Sequence, residues 1–189
     1  VVLANGGSVP GKSRDGLNRQ LGLVHGLLET AGLDGDAVRL IDLAEAPAHC
    51  RSTGGLPHAA GFSAEQPKRQ LATMAIDHLL SAAERLPARI GLRDGDPYGE
   101  ILVDDSRCTL CMSCTSVCPA GALSAGDELP RLVFHETNCV QCGICANACP
   151  ESAIRLAAGY ATDPDHRRAA RVLHEEPPFC CVSCGKPFA

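Results

Sequence analysis

Aromatic side chains and basic charge are both scarce in this sequence. Tryptophan is absent and aromatic residues make up 3% of the 189 positions, so a sizeable core would have to be aliphatic. The sequence has 22 acidic and 17 basic residues, which gives a net charge of −5. It therefore lacks the excess of basic residues that is typical of a nucleic-acid-binding protein. No apolar run approaches the ~20 residues that cross a bilayer, and no signal sequence is visible. We therefore expect neither a nucleic-acid partner nor a membrane span.

Cysteine, by contrast, is abundant, and eight of the 12 cysteines form two copies of one pattern. The copies are Cys108-x2-Cys111-x2-Cys114-x3-Cys118-Pro119 and Cys139-x2-Cys142-x2-Cys145-x3-Cys149-Pro150. The second copy follows the first by 31 residues (139 minus 108), and flanking residues obey the same shift, since 101–103 map onto 132–134. Disulfide frameworks suit short secreted chains, and zinc sites usually pair two separated Cys-x2-Cys knuckles. The uninterrupted runs favour iron–sulfur clusters instead.

The two runs resemble the signature of the bacterial dicluster ferredoxins. The resemblance implies two 4Fe–4S clusters, in which three cysteines of each run bind one cluster and the fourth, followed by proline, reaches the other. Cluster one is then assigned to Cys108, Cys111, Cys114 and Cys149, and cluster two to Cys139, Cys142, Cys145 and Cys118. Reduced thiols and oxygen-sensitive clusters favour a cytoplasmic protein.

The expected fold class is α+β, with a dicluster ferredoxin-like domain built as a pseudo-twofold ββ/α repeat and preceded by a partial α/β domain. We assign residues 1–95 to the partial α/β domain, 96–160 to the ferredoxin domain and 161–189 to a tail. The chain opens on Val1 rather than Met, inside a predicted strand, so we expect it to be a fragment of a longer protein.

In the first segment, Val1–Ala4 and Val38–Leu43 predict strands, and the apolar stripe from Leu17 to Leu28 predicts a helix that ends at Gly32. Between them, Gly6–Ser13 matches Gly-x4-Gly-Lys-Ser, the loop whose backbone N–H groups cradle phosphates. This chain also resembles some partition-type P-loop ATPases, which carry an inserted ferredoxin domain with the same double cysteine pattern. The alternative function is therefore an ATPase that uses Gly6–Ser13 as its phosphate loop.

Three observations weigh against the ATPase. The helix should begin inside the motif, yet Asp15-Gly16 follow at once, and glycine costs a helix ~1 kcal/mol relative to alanine. The loop of that family has a second lysine ahead of its paired glycines, where this chain has Asn5. The residues from Ala161 onward are also too few, and too rich in cysteine, to resume an ATPase sheet. The competing interpretation is a plain Gly- and Pro-rich loop between a strand and a helix.

The tail contains a third group of cysteines. Cys181-x2-Cys184-Gly185 matches one knuckle of a zinc ribbon, in which the glycine lets backbone N–H groups face the sulfurs. A tetrahedral zinc site needs two more ligands, and Cys180 is adjacent to Cys181, while His166 and His174 are irregularly spaced. We predict Cys181 and Cys184 as metal ligands that await a second pair beyond residue 189. A tail with unused thiols is the alternative.

From residue 98 to 188 the chain resembles a group of large bacterial and archaeal ferredoxin-type 4Fe–4S binding proteins that accompany molybdenum-dependent formate dehydrogenases. Three segments carry the likeness: Cys108–Cys114, Asn138–Gly143 and Cys181–Phe188. Leu27–Leu33 and Val38–Ile41 look like the iron–sulfur delta subunit of methyl-viologen-reducing hydrogenases. The resemblance implies an electron carrier or wiring subunit rather than an enzyme, with a dehydrogenase or reductase as its partner. An ATP-driven machine and a structural or regulatory cluster protein are the competing functions.

Overall fold

The computed structural model describes residues 2–5, 11–35, 38–42, 61–63, 65–126 and 129–188. The chain divides into two compact units, 1–90 and 91–189. Both contain helices and small sheets, which is compatible with the predicted α+β class. Within the described ranges, no helix has the length and apolar character needed to span a membrane.

The first unit contains a parallel strand pair joined through a long helix. Strand β1 (Val2–Asn5) pairs in parallel with β2 (Arg39–Asp42), and α1 (Gly11–Thr30) lies between them in sequence. Helix α1 ends in a Schellman motif, because Gly32 has a φ of 70° and the N–H of Leu33 donates to the carbonyl of Leu28 at 2.8 Å. The unit also contains α2 (Lys68–Leu80).

Helix α1 begins at Gly11 and continues without a break through Asp15 and Gly16. The expectation that these two residues would keep the helix from starting inside the Gly6–Ser13 motif is therefore wrong. A glycine penalty of ~1 kcal/mol is small beside the stabilisation that Leu27 and Leu28 contribute by burying their side chains. Residues 6–10 lie outside the described part of the chain, as do the side chains of 11–13.

The second unit carries most of the strands, and β3 (Arg89–Gly91) spans its boundary with the first. The elements that follow, apart from a 3-10 turn at Glu136–Asn138, are β4 (Gly99–Val103), α3 (Ser113–Ser116), β5 (Leu123–Ala125), β6 (Arg131–His135), α4 (Ile144–Ala148), β7 (Ile154–Ala161), α5 (Pro164–Arg168), β8 (Ala170–Glu175), β9 (Phe179–Cys180) and β10 (Pro187–Phe188).

The two cysteine-bearing repeats exchange strands. The first strand of copy one, β4, pairs antiparallel with the last strand of copy two, β7, and β5 pairs in the same sense with β6. A shared core results, and its members include buried apolar side chains of both copies: Ile101, Leu110, Leu123, Leu132, Phe134 and Ile154. Three of the eight cysteines are buried in the same core: Cys114, Cys139 and Cys145. These three thiols are therefore enclosed by the repeat itself.

Strand β8 was not predicted from the sequence. It pairs antiparallel with β6 and extends that sheet to three strands. Its Arg171 lies over the ring of Phe134, with 5.4 Å between the guanidinium carbon and the ring centroid. The same guanidinium pairs with Glu136 at 2.7 Å and with Glu100 at 3.2 Å. Arg171 thus joins β8, β4 and the 3-10 turn after β6.

Candidate metal centres

The two ligand loops share an unusual backbone conformation. Leu110 and Met112 have φ values of 53° and 58°, and the equivalent Gln141 and Gly143 have 54° and 77°. Left-handed backbone costs an ordinary residue roughly 1–2 kcal/mol, so its recurrence at matched positions points to a function. The two turns wind each loop so that three cysteines face one space.

The structure forms one cavity beside each loop. Cavity one is lined by four cysteines: Cys108, Cys111, Cys114 and Cys149. Cavity two is lined by the other four: Cys139, Cys142, Cys145 and Cys118. In each case the fourth cysteine comes from the opposite run. The cavities measure about 360 and 330 Å³, including the solvent space at their open mouths.

The environment of the thiols follows the same grouping. Burial raises the pKa of Cys108, and the nearby thiols of Cys149 and Cys111 add to the rise. Burial likewise raises the pKa of Cys145, with further contributions from other cysteines of cavity two. The pKa of Cys114 rises to about 11, first because it is buried and then because Cys145 is close. Cys114 of cavity one and Cys145 of cavity two are therefore close to each other.

Backbone N–H groups face the fourth cysteine of each run. The N–H of Ala122 donates to Cys118 Sγ and that of Ala153 to Cys149 Sγ, both at 3.3 Å. Thiolates that bind metal are stabilised by such donors. At the exposed Cys111, hydrogen bonds from Ser113 lower the pKa of the thiol.

The donor set fits a cluster of several atoms. Among the described residues, no three Cys, His, Asp or Glu side chains converge on a point suited to a single metal ion. The four thiols of each cavity instead surround a space, as the corner ligands of a 4Fe–4S cube must. The cysteines of both cavities are free thiols.

The tail folds as a small hairpin around the third group of cysteines. Strands β9 and β10 pair antiparallel, and Gly185, with a φ of 70°, donates its N–H to the carbonyl of Cys181 at 2.8 Å. The backbone N–H groups of Ser183 and Cys184 lower the pKa of Cys181, which favours its thiolate. Cys181 and Cys184 are therefore brought together by one turn.

The histidines considered as further zinc ligands make other contacts. His174 is buried on β8 between Asp105 at 3.3 Å and Glu176 at 3.5 Å. His166 Nε2 lies 2.9 Å from the Arg171 guanidinium. In the described part of the chain the hairpin thus offers its cysteines without a third side-chain ligand.

Comparison with known proteins addresses the cysteine runs directly. A family model described as a 4Fe-4S dicluster domain matches residues 107–153. No curated protein matches the chain. The family match supports ferredoxin-type 4Fe–4S binding and iron–sulfur electron transfer by this segment, and it indicates an electron carrier rather than a catalytic enzyme.

Two residues beside the cavities escaped the sequence analysis. Gln141 lines cavity two, and its Nε2 lies 3.4 Å from Cys139 Sγ. Glu151 lines cavity one. The 31-residue shift could have revealed both, because it equates Gln141 with Leu110 and Glu151 with Ala120. Each pair differs in hydrogen bonding or charge beside otherwise equivalent cysteines.

Proposed function

We propose that this protein transfers single electrons through two 4Fe–4S clusters, as a ferredoxin-like carrier or as a wiring subunit of a redox complex. Its partners would be a dehydrogenase or reductase, and the resemblance noted above favours a formate dehydrogenase. We further propose a cytoplasmic location, since the thiols must stay reduced before the clusters assemble.

The exchange of the fourth cysteine carries this proposal. Cys118 lines the cavity of the second run and Cys149 that of the first. We therefore propose Cys108, Cys111, Cys114 and Cys149 as ligands of cluster one. The ligands of cluster two would be Cys139, Cys142, Cys145 and Cys118. Such an exchange ties two clusters into one core and keeps them close enough for an electron to pass between them.

The protein residues contribute binding and insulation. When bound, the clusters supply reversible one-electron chemistry. Leu132 and Ile154 line cavity one, Ile101 and Leu156 line cavity two, and these apolar walls limit the access of water. Burial and the backbone donors at Cys118 and Cys149 then set the reduction potentials.

Anaerobic reconstitution tests the proposal. We expect about eight irons and eight sulfides per chain, the content of two 4Fe–4S clusters. Reductive titration followed by electron paramagnetic resonance should show two interacting S = 1/2 signals, each from a one-electron step. Cys180→Ala is the matched control, because Cys180 lies in the hairpin away from both cavities, and it should retain all the iron. Zinc in place of iron, or clusters that accept no electron, would contradict the proposal.

We also propose that Cys181 and Cys184 form half of a zinc site. The turn holds both thiols together, and the backbone N–H groups of Ser183 and Cys184 favour the thiolate of Cys181. Further ligands would complete the site, since the described residues place no third one beside this pair.

An ATPase is the second candidate function, and one observation favours it. Strand β1 ends at Asn5, α1 begins at Gly11, and β1 pairs in parallel with β2, so the Gly6–Ser13 motif follows a strand in sequence and runs into a helix, as a phosphate-binding motif requires. The test is ATP hydrolysis by the purified protein, which Lys12→Ala should abolish. The same activity in Lys12→Ala and in the unaltered protein would dismiss this candidate.

A further inference from the structure

The two cavities are built to the same plan, so their differences can be compared position by position. Leu110 and Gln141 are equivalent, and their φ values of 53° and 54° show that the backbone is the same. Leu110 is a buried apolar wall of cavity one, whereas Gln141 brings a carboxamide to cavity two. Only the side chain differs.

The carboxamide nitrogen of Gln141 donates hydrogen bonds to two acceptors. Its Nε2 donates to the backbone carbonyl of Glu100 at 3.2 Å and to Cys139 Sγ at 3.4 Å. An NH2 group has two hydrogens, so both bonds can form together. The carbonyl of Glu100 can only accept, and this identifies the end of the carboxamide that carries the nitrogen. Cys139 is 5% exposed, so little water competes for its sulfur.

The position of the carboxamide is fixed by Gly99. A Cβ built on Gly99 would lie 2.6 Å from Gln141 Cδ and closer still to the carbonyl oxygen of Ala157. The carboxamide therefore rests against bare backbone on β4, in a space that any other residue would fill. Gln141 is held on the strand pair β4–β7 rather than free to turn towards solvent.

The charge beside the two cavities differs as well. Glu151 lines cavity one, where the equivalent residue of cavity two is Ala120. The lining of cavity one therefore includes a carboxylate, and that of cavity two includes none.

One hydrogen bond is made beside cavity one and has no equivalent beside cavity two. The hydroxyl of Ser113 lies 3.4 Å from Cys111 Sγ, and the equivalent position beside cavity two is Ile144. Cys111 is exposed, however, so water already supplies hydrogen bonds to its sulfur. A hydrogen-bond donor stabilises negative charge on a buried sulfur more than it does on a sulfur that is exposed to water. The contact of Gln141 should therefore outweigh that of Ser113.

Given the proposed two-cluster function, we infer that Gln141 and Glu151 make the two clusters unequal, with cluster two at the higher reduction potential. A hydrogen bond to a ligand sulfur stabilises the added electron, whereas a neighbouring carboxylate repels it. With both clusters bound, one electron would pass from cluster one, which would be oxidised, to cluster two, which would be reduced, and no bond would form or break. Cluster two would then hold the electron, and Gln141 is a positioning residue for that cluster.

Redox titration of the reconstituted protein, followed by electron paramagnetic resonance, tests the inference. The unaltered protein should show two separate midpoints. Gln141→Met keeps the length of the side chain but removes its hydrogen-bond donor. It should lower the upper midpoint by about 59 mV, which is a tenfold change in the one-electron equilibrium constant. The lower midpoint should stay in place. Gln141→Leu, which copies Leu110, should act alike. Glu151→Ala, which copies Ala120, should raise the lower midpoint. The corresponding equilibrium constant should change only about twofold to threefold, because Glu151 is exposed and its charge is screened by salt.

The control is Cys180→Ala, which should leave both midpoints in place, because Cys180 lines neither cavity. Iron content separates failure of the inference from failure of the proposed function. A protein that binds no iron–sulfur cluster contradicts both. A protein with about eight irons and one common midpoint, or one in which Gln141→Met moves neither midpoint or both equally, overturns the inference alone.

Discussion

Cys118 belongs to the first cysteine run, yet it lines the cavity of Cys139 in the second. Double variants turn this relationship into a measurement. Cys118→Ala with Cys139→Ala removes two ligands of one proposed cluster, so about four irons should remain. Cys108→Ala with Cys118→Ala removes one ligand from each, so neither cluster should be complete. If each run bound its own cluster, the iron contents of the two double variants would be reversed.

Gly99→Ala should destabilise the reconstituted protein. The new Cβ would meet the carbonyl of Ala157 and the carboxamide of Gln141, and overpacking of this kind typically costs roughly 1–3 kcal/mol in unfolding free energy. Displacement of Gln141 should also lower the upper midpoint. Denaturant titration and redox titration measure the two effects. Gly91→Ala is the control, since its Cβ would meet nothing within 4 Å and should leave the potentials unchanged.

Arg171→Met should be among the most harmful single changes away from the cysteines. It removes the guanidinium that lies 2.7 Å from the carboxylate of Glu136, whose side chain is 3% exposed. Removing one member of a buried ion pair costs roughly 3–5 kcal/mol. The matched variant is Arg168→Met, which breaks an exposed pair with Asp165 and should cost at most about 1 kcal/mol in denaturant unfolding. Equal losses in both variants would show that the charge network of Arg171 stabilises nothing.

Cys181→Ser with Cys184→Ser should abolish zinc binding and leave the iron content unchanged. The hairpin thiols line neither of the two cavities, so cluster assembly does not require them. Elemental analysis of protein reconstituted with both metals gives the answer. Loss of iron together with zinc would show that the hairpin contributes to the cluster domain.

The metal-free protein should lose stability in alkaline solution. Burial raises the pKa of Cys114 from 9.0 to about 11, so the folded state favours the neutral thiol. The resulting stability is complete below pH 9 and is lost as pH rises through about 11. Denaturant midpoints of chelator-treated protein across this window measure the effect. Cys114→Ala should flatten the dependence, and an unchanged slope would contradict the assignment.

The two cysteine runs and their repeat can be read from the sequence alone, and the grouping of the eight thiols into two ligand sets stays a prediction that the resemblance to dicluster ferredoxins implies. The runs are visible because the ligands of a cluster must come from short loops with defined gaps, which places the relevant information within a few residues. The same local reasoning located β1 and β2 to within a residue or two at their ends. It failed at Asp15–Gly16, where a weak local propensity was outweighed by a helix long enough to bury Leu27 and Leu28.

The sequence by itself therefore determined that this protein carries two cysteine runs suited to a pair of clusters. Tertiary structure alone decided which residues from distant segments meet beside these runs. Gln141 reaches Cys139 because Gly99 leaves room for it on a strand far away in sequence, and Arg171 neutralises Glu136 because β8 pairs with β6. Such contacts depend on strand pairing and close packing between distant segments, and no spacing rule within one segment contains them.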